Sequence, residues 1–332
     1  MKKLAIIGGG SWGTALSIVL SRNARPISLW IYEQDICEQV RKGRENEVFL
    51  PGFRVPDSVC PTNDPAEALA DAETVLTVVP SHYCRPLYNQ MLPLLRPEMK
   101  FVSATKGLET ESLLRMSEVI RQVVGQRFQP RLAVLSGPTF AREIAAGEPA
   151  AVVIASDDAE LARDLQRQFS GPSFRLYTNS DVAGVEYGAS LKNVIAIGAG
   201  VCHGLGLGSN TMAALITRGL AEISRLARAL GGRQETLAGL AGMGDLVLTC
   251  TGALSRNRQV GIELARGRGL ADIVSSMRMV AEGIKTTTAA VDLARRASVE
   301  MPIIEQMKAM LFEGKPPRDA VRELMERSLK SE

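Results

Sequence analysis

Three glycines in the spacing G-x-G-x-x-G, Gly8, Gly10 and Gly13, stand between an apolar run at 4–7 and a helix pattern at 14–20. The first would turn the chain tightly. The second would let a pyrophosphate reach the backbone, and the third would let the helix press on the strand. Amides exposed at the start of that helix attract phosphate charge. A glycine triplet alone is a weak signal, but between a strand and a helix it favours a bound dinucleotide over a plain turn.

Reduction or oxidation at an alcohol carbon needs a hydride partner and a group that moves the hydroxyl proton. The two histidines, His82 and His203, fit surface or capping positions and are assigned no proton. Lys192, in EYGASLKNVIAIG, lies in a helix pattern otherwise small and apolar. Burial there would ease its deprotonation, because desolvation disfavours an ammonium. A lysine that snorkels to solvent is the structural alternative. Gly188, one turn earlier on the same face, and Asn193 beside it favour the chemical role. Lys106, in FVSATKG, follows a strand, and ligands of open α/β sheets gather at the carboxyl ends of strands. Ser103 and Lys106 also spell the S-x-x-K of serine acyl-enzymes, but the S-D-N and K-T-G companions are missing, so that reading is rejected.

The segment 239–261 carries a third cluster. Ser255 is placed as the N-cap of a helix whose first turn holds Arg256, Asn257 and Arg258. Positive charge there opposes the helix dipole. A bound anion would remove the conflict, with Arg256 offering a two-pronged donor. The alternative is a solvated basic turn, and a phosphate site is the favoured reading.

These residues need elements to hold them. In the first half, strand patterns at 4–7, 26–31, 74–79, 101–104, 131–135, 150–155 and 174–178 alternate with helix patterns such as 84–95 and 111–124. Alternation of this kind predicts α/β architecture, a Rossmann-type doubly wound parallel sheet. From Ser180 onward strand signals vanish. A long pattern at 181–203 is crowded with Ala183, Gly184, Gly188, Ala189, Ala196, Gly198, Ala199 and Gly200, which calls for a neighbour packed very close. Further helix patterns at 211–230, 256–266, 284–297, 303–312 and 318–329 complete an all-helical C-terminal domain. The division expected is 1–179 for the dinucleotide and 180–332 for substrate and catalysis.

Composition bounds the partners. With 332 residues there is room for two cores, and a net charge of +3 gives nucleic acid no global attraction. Five scattered cysteines and two histidines suit neither a disulfide framework nor a metal site. No apolar run approaches the roughly 18 residues of a membrane span, and two lysines lead directly into a strand without a cleavage signal. A cytoplasmic location is expected.

In order and spacing, GGGSWGTAL, SATKGLE, SGPTFAREIAAGEPAA, GVEYGASLKNVIAIGAG, LAGMGDLVLTCTGALSRNRQVG and VAEGIKT are far more specific than the glycines alone. Through them the whole chain resembles the bacterial NAD(P)-dependent glycerol-3-phosphate dehydrogenases. The resemblance implies reversible reduction of dihydroxyacetone phosphate to sn-glycerol 3-phosphate for phospholipid synthesis, by a homodimer. It implies that Lys192 is the general acid/base at the substrate's C2 oxygen. Lys106, Gly137, Thr139 and Asp245 would line the substrate, and Ser255, Arg256 and Asn257 would hold its phosphate. NAD or NADP would meet Ser11, Trp12, Tyr32, Phe49, Lys106, Ala141, Arg256, Val280 and Glu282. Thr139 replaces the serine of many relatives and keeps the hydroxyl, while Tyr32 replaces a common arginine or histidine. Glu33, twenty residues past Gly13, can accept bonds from a ribose hydroxyl and would repel a 2′-phosphate, so NADH is expected to serve at least comparably to NADPH. The rival is a related lysine-dependent dehydrogenase acting on a hydroxy acid or ketopantoate, whose carboxylate would occupy the arginine cluster.

Overall fold

A computed structural model describes residues 3–23, 26–277 and 281–329. Among the described residues ten strands form: β1 Lys3–Ile7, β2 Ile27–Trp30, β3 Glu45–Asn46, β4 Leu50–Arg54, β5 Val59–Thr62, β6 Ala72–Thr77, β7 Lys100–Ser103, β8 Arg131–Ser136, β9 Ala150–Ala155 and β10 Phe174–Asn179. Between them lie α1 Ser11–Ser21, α2 Gln34–Gly43, α3 Pro65–Leu69, α4 Cys84–Met91, α5 Met116–Val124, α6 Ala141–Ala146 and α7 Ala159–Phe169.

Eight strands make one sheet in the order β10-β9-β8-β7-β6-β1-β2-β5, and β3 pairs with β4 apart from it. Both faces are covered, which is why β1 is apolar from Leu4 to Ile7: Leu4 and Ile6 join the core on one face, Ala5 and Ile7 the core on the other. From β1 the chain runs outward through β2 to β5, then returns to β6 on the opposite side of β1. That reversal puts a crevice at the carboxyl end of β1, where open sheets take ligands.

Three features depart from the sequence reading. β9 runs antiparallel to β8. The connection 137–149 holds only the six-residue α6, too little for a crossover, so the chain turns back at the same end of the sheet. β3, β4 and β5 escape the apolar-run criterion; β5, VCPT, even contains Pro61, which an edge strand tolerates. The helix expected at 111–124 starts only at Met116. Leu113 takes φ +63°, and Arg115 and Glu118 form a capping box at the true start.

The helical part comprises α8 Val182–Gly204, α9 Ser209–Ala229, α10 Gln234–Leu237, α11 Asp245–Thr251, α12 Arg256–Ala265, α13 Leu270–Ser275, α14 Glu282–Arg296, α15 Pro302–Phe312 and α16 Pro317–Met325. None of the described residues beyond Asn179 is in a strand. The small residues of α8 admit another backbone: a Cβ on Gly200 would lie 1.9 Å from the Arg258 carbonyl oxygen of α12. By proximity the chain groups into two compact units, Met1–Lys106 with Leu114–Glu186, and Gly107–Leu113 with Tyr187–Glu332. The grouping changes within α8, at Glu186. This buried carboxylate belongs to the first unit, accepting from Ser117 N at 2.8 Å and Arg115 Nη1 at 3.0 Å. No helix among the described residues is long and apolar enough to cross a membrane.

Candidate active site

In the first unit the glycine loop leaves β1 and begins α1. Gly8 has φ +125°, and a Cβ there would lie 2.2 Å from the Val78 carbonyl oxygen; one on Gly13 would lie 1.8 Å from that of Gly8. Gly10 differs, since a Cβ on it would meet nothing within 4 Å. Gly10 is also the N-cap of α1, with no side-chain capping bond and no acid in the first turn. Tight packing around Gly8 and Gly13 with an open approach at Gly10 fits a phosphate group at a helix start.

The loop is braced from a segment that sequence reasoning missed. Asn46, fully buried, donates to Gly9 O at 2.8 Å and Thr14 Oγ1 at 2.9 Å, and accepts from Phe49 N at 3.0 Å. Ser11 Oγ donates to Phe49 O at 2.6 Å. Trp12 is part-buried against the same core as Phe49. Past β2, Tyr32 is 75% exposed and meets Trp30 edge-on, with ring centroids 6.0 Å apart. Glu33 is the exposed N-cap position of α2 and makes no side-chain capping bond, and Arg54 is paired with Asp57 at 3.1 Å.

Lys106, Gly137 and Thr139 come together beyond β7 and β8. Lys106 Nζ donates to Gly137 O at 3.0 Å and Thr139 Oγ1 at 3.4 Å, and Ala141 opens α6 just after them. Ser103 is fully buried in β7, a poor place for an acylated nucleophile.

In the second unit Lys192 does not snorkel. It is 5% exposed, and its Nζ donates to Asp245 Oδ1 at 2.5 Å and Thr249 Oγ1 at 2.7 Å. Asp245 and Thr249 are one turn apart on α11, and the Thr249 hydroxyl donates to Asp245 O at 2.6 Å. An ion pair this deep needs its remaining polar atoms satisfied, and Thr249 supplies part of that. Thr249 is a second residue missed from sequence; its signal was the i,i+4 spacing from Asp245. Beside the pair, burial pushes the Cys250 thiol up to about 12, although Lys192 acts to lower it.

Ser255 caps α12, its Oγ accepting from Arg258 N at 3.2 Å. Arg256, the first helical residue, is exposed as a whole, although neighbouring atoms crowd its guanidinium. Desolvation lowers its pKa from the ordinary value while Glu282 acts to raise it, and an arginine stays charged throughout. Asn257 is buried and committed on both sides. Its Nδ2 donates to Asn193 Oδ1 at 2.9 Å, and its Oδ1 accepts from Gly283 N at 3.0 Å. Three segments therefore converge: α8 at Lys192 and Asn193, the start of α12, and the start of α14 at Glu282 and Gly283. Val280 lies outside the described residues.

Two family models cover nearly all of this chain. NAD-dependent glycerol-3-phosphate dehydrogenase N-terminus matches residues 3–162 and the corresponding C-terminus matches 181–322. A glycerol-3-phosphate dehydrogenase (NAD(P)+) of Koribacter versatilis is 58% identical over 98% of both chains. One of Geobacter sulfurreducens is 51% identical over 100% of this chain and 99% of its own. The crystal structure of glycerol-3-phosphate dehydrogenase from Coxiella burnetii superposes with a TM-score of 0.94 at 40% identity, covering 98% and 99% of the two chains. A ketopantoate reductase from Ralstonia eutropha, the type of the rival reading, shares the fold alone, with a TM-score of 0.60 at 16% identity. The chain belongs to the NAD-dependent glycerol-3-phosphate dehydrogenase family.

Proposed function

We propose that this protein reversibly reduces dihydroxyacetone phosphate to sn-glycerol 3-phosphate with NADH or NADPH, supplying glycerophospholipid synthesis. The observation that carries the reading is the buried Lys192, held by Asp245 and Thr249 in a helix otherwise small and apolar. Gly8, Gly10, Ser11, Trp12 and Gly13 would hold the dinucleotide with Tyr32, Phe49, Lys106, Ala141, Arg256, Val280 and Glu282. A nicotinamide bound there would supply the hydride for the carbonyl carbon.

Lys192 Nζ gives its proton to the C2 oxygen as negative charge develops on it, and takes it back in the reverse reaction. Asp245 keeps the ammonium charged and aimed until that transfer. Ser255, Arg256 and Asn257 orient the phosphate end. The Asn257 amide also fixes the α12 and α14 starts to each other. Lys106, Gly137 and Thr139 line the reacting end. Residues 1–179 would serve the cofactor and 180–332 substrate and catalysis, in a cytoplasmic homodimer without a nucleic-acid partner.

The test is cofactor oxidation with dihydroxyacetone phosphate, dihydroxyacetone and ketopantoate in parallel. Turnover is expected with the first and almost none with the second, because phosphate binding positions the reacting carbon. Equal efficiency on the first two would sink the phosphate assignment. Run with both cofactors, the assay should show NADH at least comparable to NADPH, since Glu33 and Tyr32 bring no positive charge to the end of β2. An NADPH preference of about a hundredfold, ~2.7 kcal/mol, would overturn that part.

A further inference from the structure

The stretch before α11 is a wide turn, Leu240–Gly244, with π-type rather than α-type bonding. Its closing bond is made by Asp245 itself, whose backbone N–H reaches back to Leu240 O, while Gly244 N reaches Gly239 O at 3.1 Å. π-turns are rare and cluster at functional sites, because the additional residue per turn re-aims the side chains that follow. Here Asp245 and, one turn later, Thr249 follow, the two groups that hold Lys192 Nζ.

The turn lies against α8 where α8 has no side chain. A Cβ on Gly188 would sit 2.8 Å from the Ala241 carbonyl oxygen, 3.1 Å from Leu237 Cδ1 and 3.4 Å from Gly242 Cα. Gly242 is as tightly confined, its Cβ position lying 2.1 Å from Leu237 O. Gly188 and Lys192 are four residues apart on one helix and share a face. The same face of α8 thus docks the turn through Gly188 and, one turn on, meets the carboxylate that the turn delivers.

We infer that Gly188 and the wide turn Leu240–Gly244 are positioning elements for the proton chemistry: by letting the turn's backbone rest on α8, they set Asp245 and Thr249 onto Lys192 Nζ. Neither touches substrate; both act through Asp245. The inference rests on the proposed role of Lys192, and the experiment separates the two.

Gly188→Ala adds one methyl group against a backbone carbonyl that cannot swing away, so the turn must move by a few tenths of an ångström. The groups around Lys192 Nζ include Asp245, Thr249 and the Cys250 thiol, and Asp245 favours its charged form. Backing Asp245 away should move the alkaline limb of the reduction profile, kcat against pH, about one unit to lower pH. NADH affinity and circular dichroism should match the unsubstituted protein. Gly198→Ala is the control on the same helix. Its new Cβ would meet the flexible end of Met307, 3.2 Å from Sδ, and Leu215 Cδ1 at an ordinary 3.6 Å, and its profile should not move.

If Gly188→Ala fails to fold, Ala241→Gly loosens the turn without adding an atom and should shift the limb in the same direction. A profile for Gly188→Ala, or for Ala241→Gly in its place, that coincides with that of the unsubstituted protein would overturn the inference. Failure of the underlying reading has a different signature, full turnover by the variant carrying both Lys192→Met and Asp245→Asn.

Discussion

The glycine loop around Gly10 and the cluster around Lys192 are built by opposite means. The loop is one continuous stretch whose backbone does the work; what matters at Gly8 and Gly13 is that no side chain is there. The Lys192 cluster is made of side chains from distant positions, Lys192 and Asp245 being 53 residues apart, and what matters is which functional group each carries. Local recognition of this kind is intolerant of added atoms, and convergent recognition is intolerant of altered charge.

The largest effect should come from altering the charge. Lys192→Met keeps most of the apolar stem and removes the amine, so turnover should fall roughly 100- to 10,000-fold. The fully buried Asp245 is then left without its cation, which costs about 3–5 kcal/mol of stability and lowers Tm. Adding Asp245→Asn should restore much of that stability and none of the turnover. Recovery of both together would mean that the pair is structural.

Adding an atom to the loop should cost less and strike elsewhere. Gly13→Ala forces its methyl against the Gly8 carbonyl and should destabilise by about 1–3 kcal/mol, with weaker NADH binding by fluorescence titration. Gly10→Ala adds its methyl to open space, so Tm should hold while NADH affinity drops. If both variants lost only stability, or neither lost affinity, the loop would be a plain turn and the contrast with the Lys192 cluster would collapse.

The effect most narrowly confined, to a single pH window, concerns a carboxylate outside both regions. Glu222 of α9 is buried and accepts from Ile303 N at 2.8 Å and Ile304 N at 3.3 Å, capping α15 from another helix. Burial pushes its pKa up to about 7 from an ordinary 4.5, against the lowering effect of those two amides. Between these values the folded chain holds a proton that the unfolded chain has released, so stability falls as pH rises through that window and levels off above it. The shift corresponds to roughly 3 kcal/mol. Glu222→Gln keeps an oxygen for the amides and should flatten Tm between pH 5 and 8. An equally steep fall in the variant would assign the pH dependence to other groups.

Legibility followed the same division. The glycine loop, the apolar strands of the sheet, the run of helices after Asn179 and the Ser255 cap were readable because each depends on neighbours within a few residues. Lys192, Lys106 and Arg256 stood out as charges in the wrong company: an amine among small apolar residues, a lysine past a strand end, a cation at a helix start. β5, with Pro61 in it, was not readable, because pairing at a sheet edge comes from β2 and not from its own pattern.

Composition and periodicity thus determined that the chain would build a doubly wound sheet and a helical part, and which residues were chemically out of place. Only the tertiary structure decided what those residues meet. Asn46 braces a loop 37 positions earlier, Thr249 shares the Lys192 ammonium with Asp245, and Asn257 spends its amide on Asn193 and Gly283. It also decided that β9 runs against β8. The physical reason is common to all of these. A hydrogen-bond partner or strand direction set by chain return depends on where distant backbones come to rest, and local propensity acts only over the few residues that one turn or one strand spans.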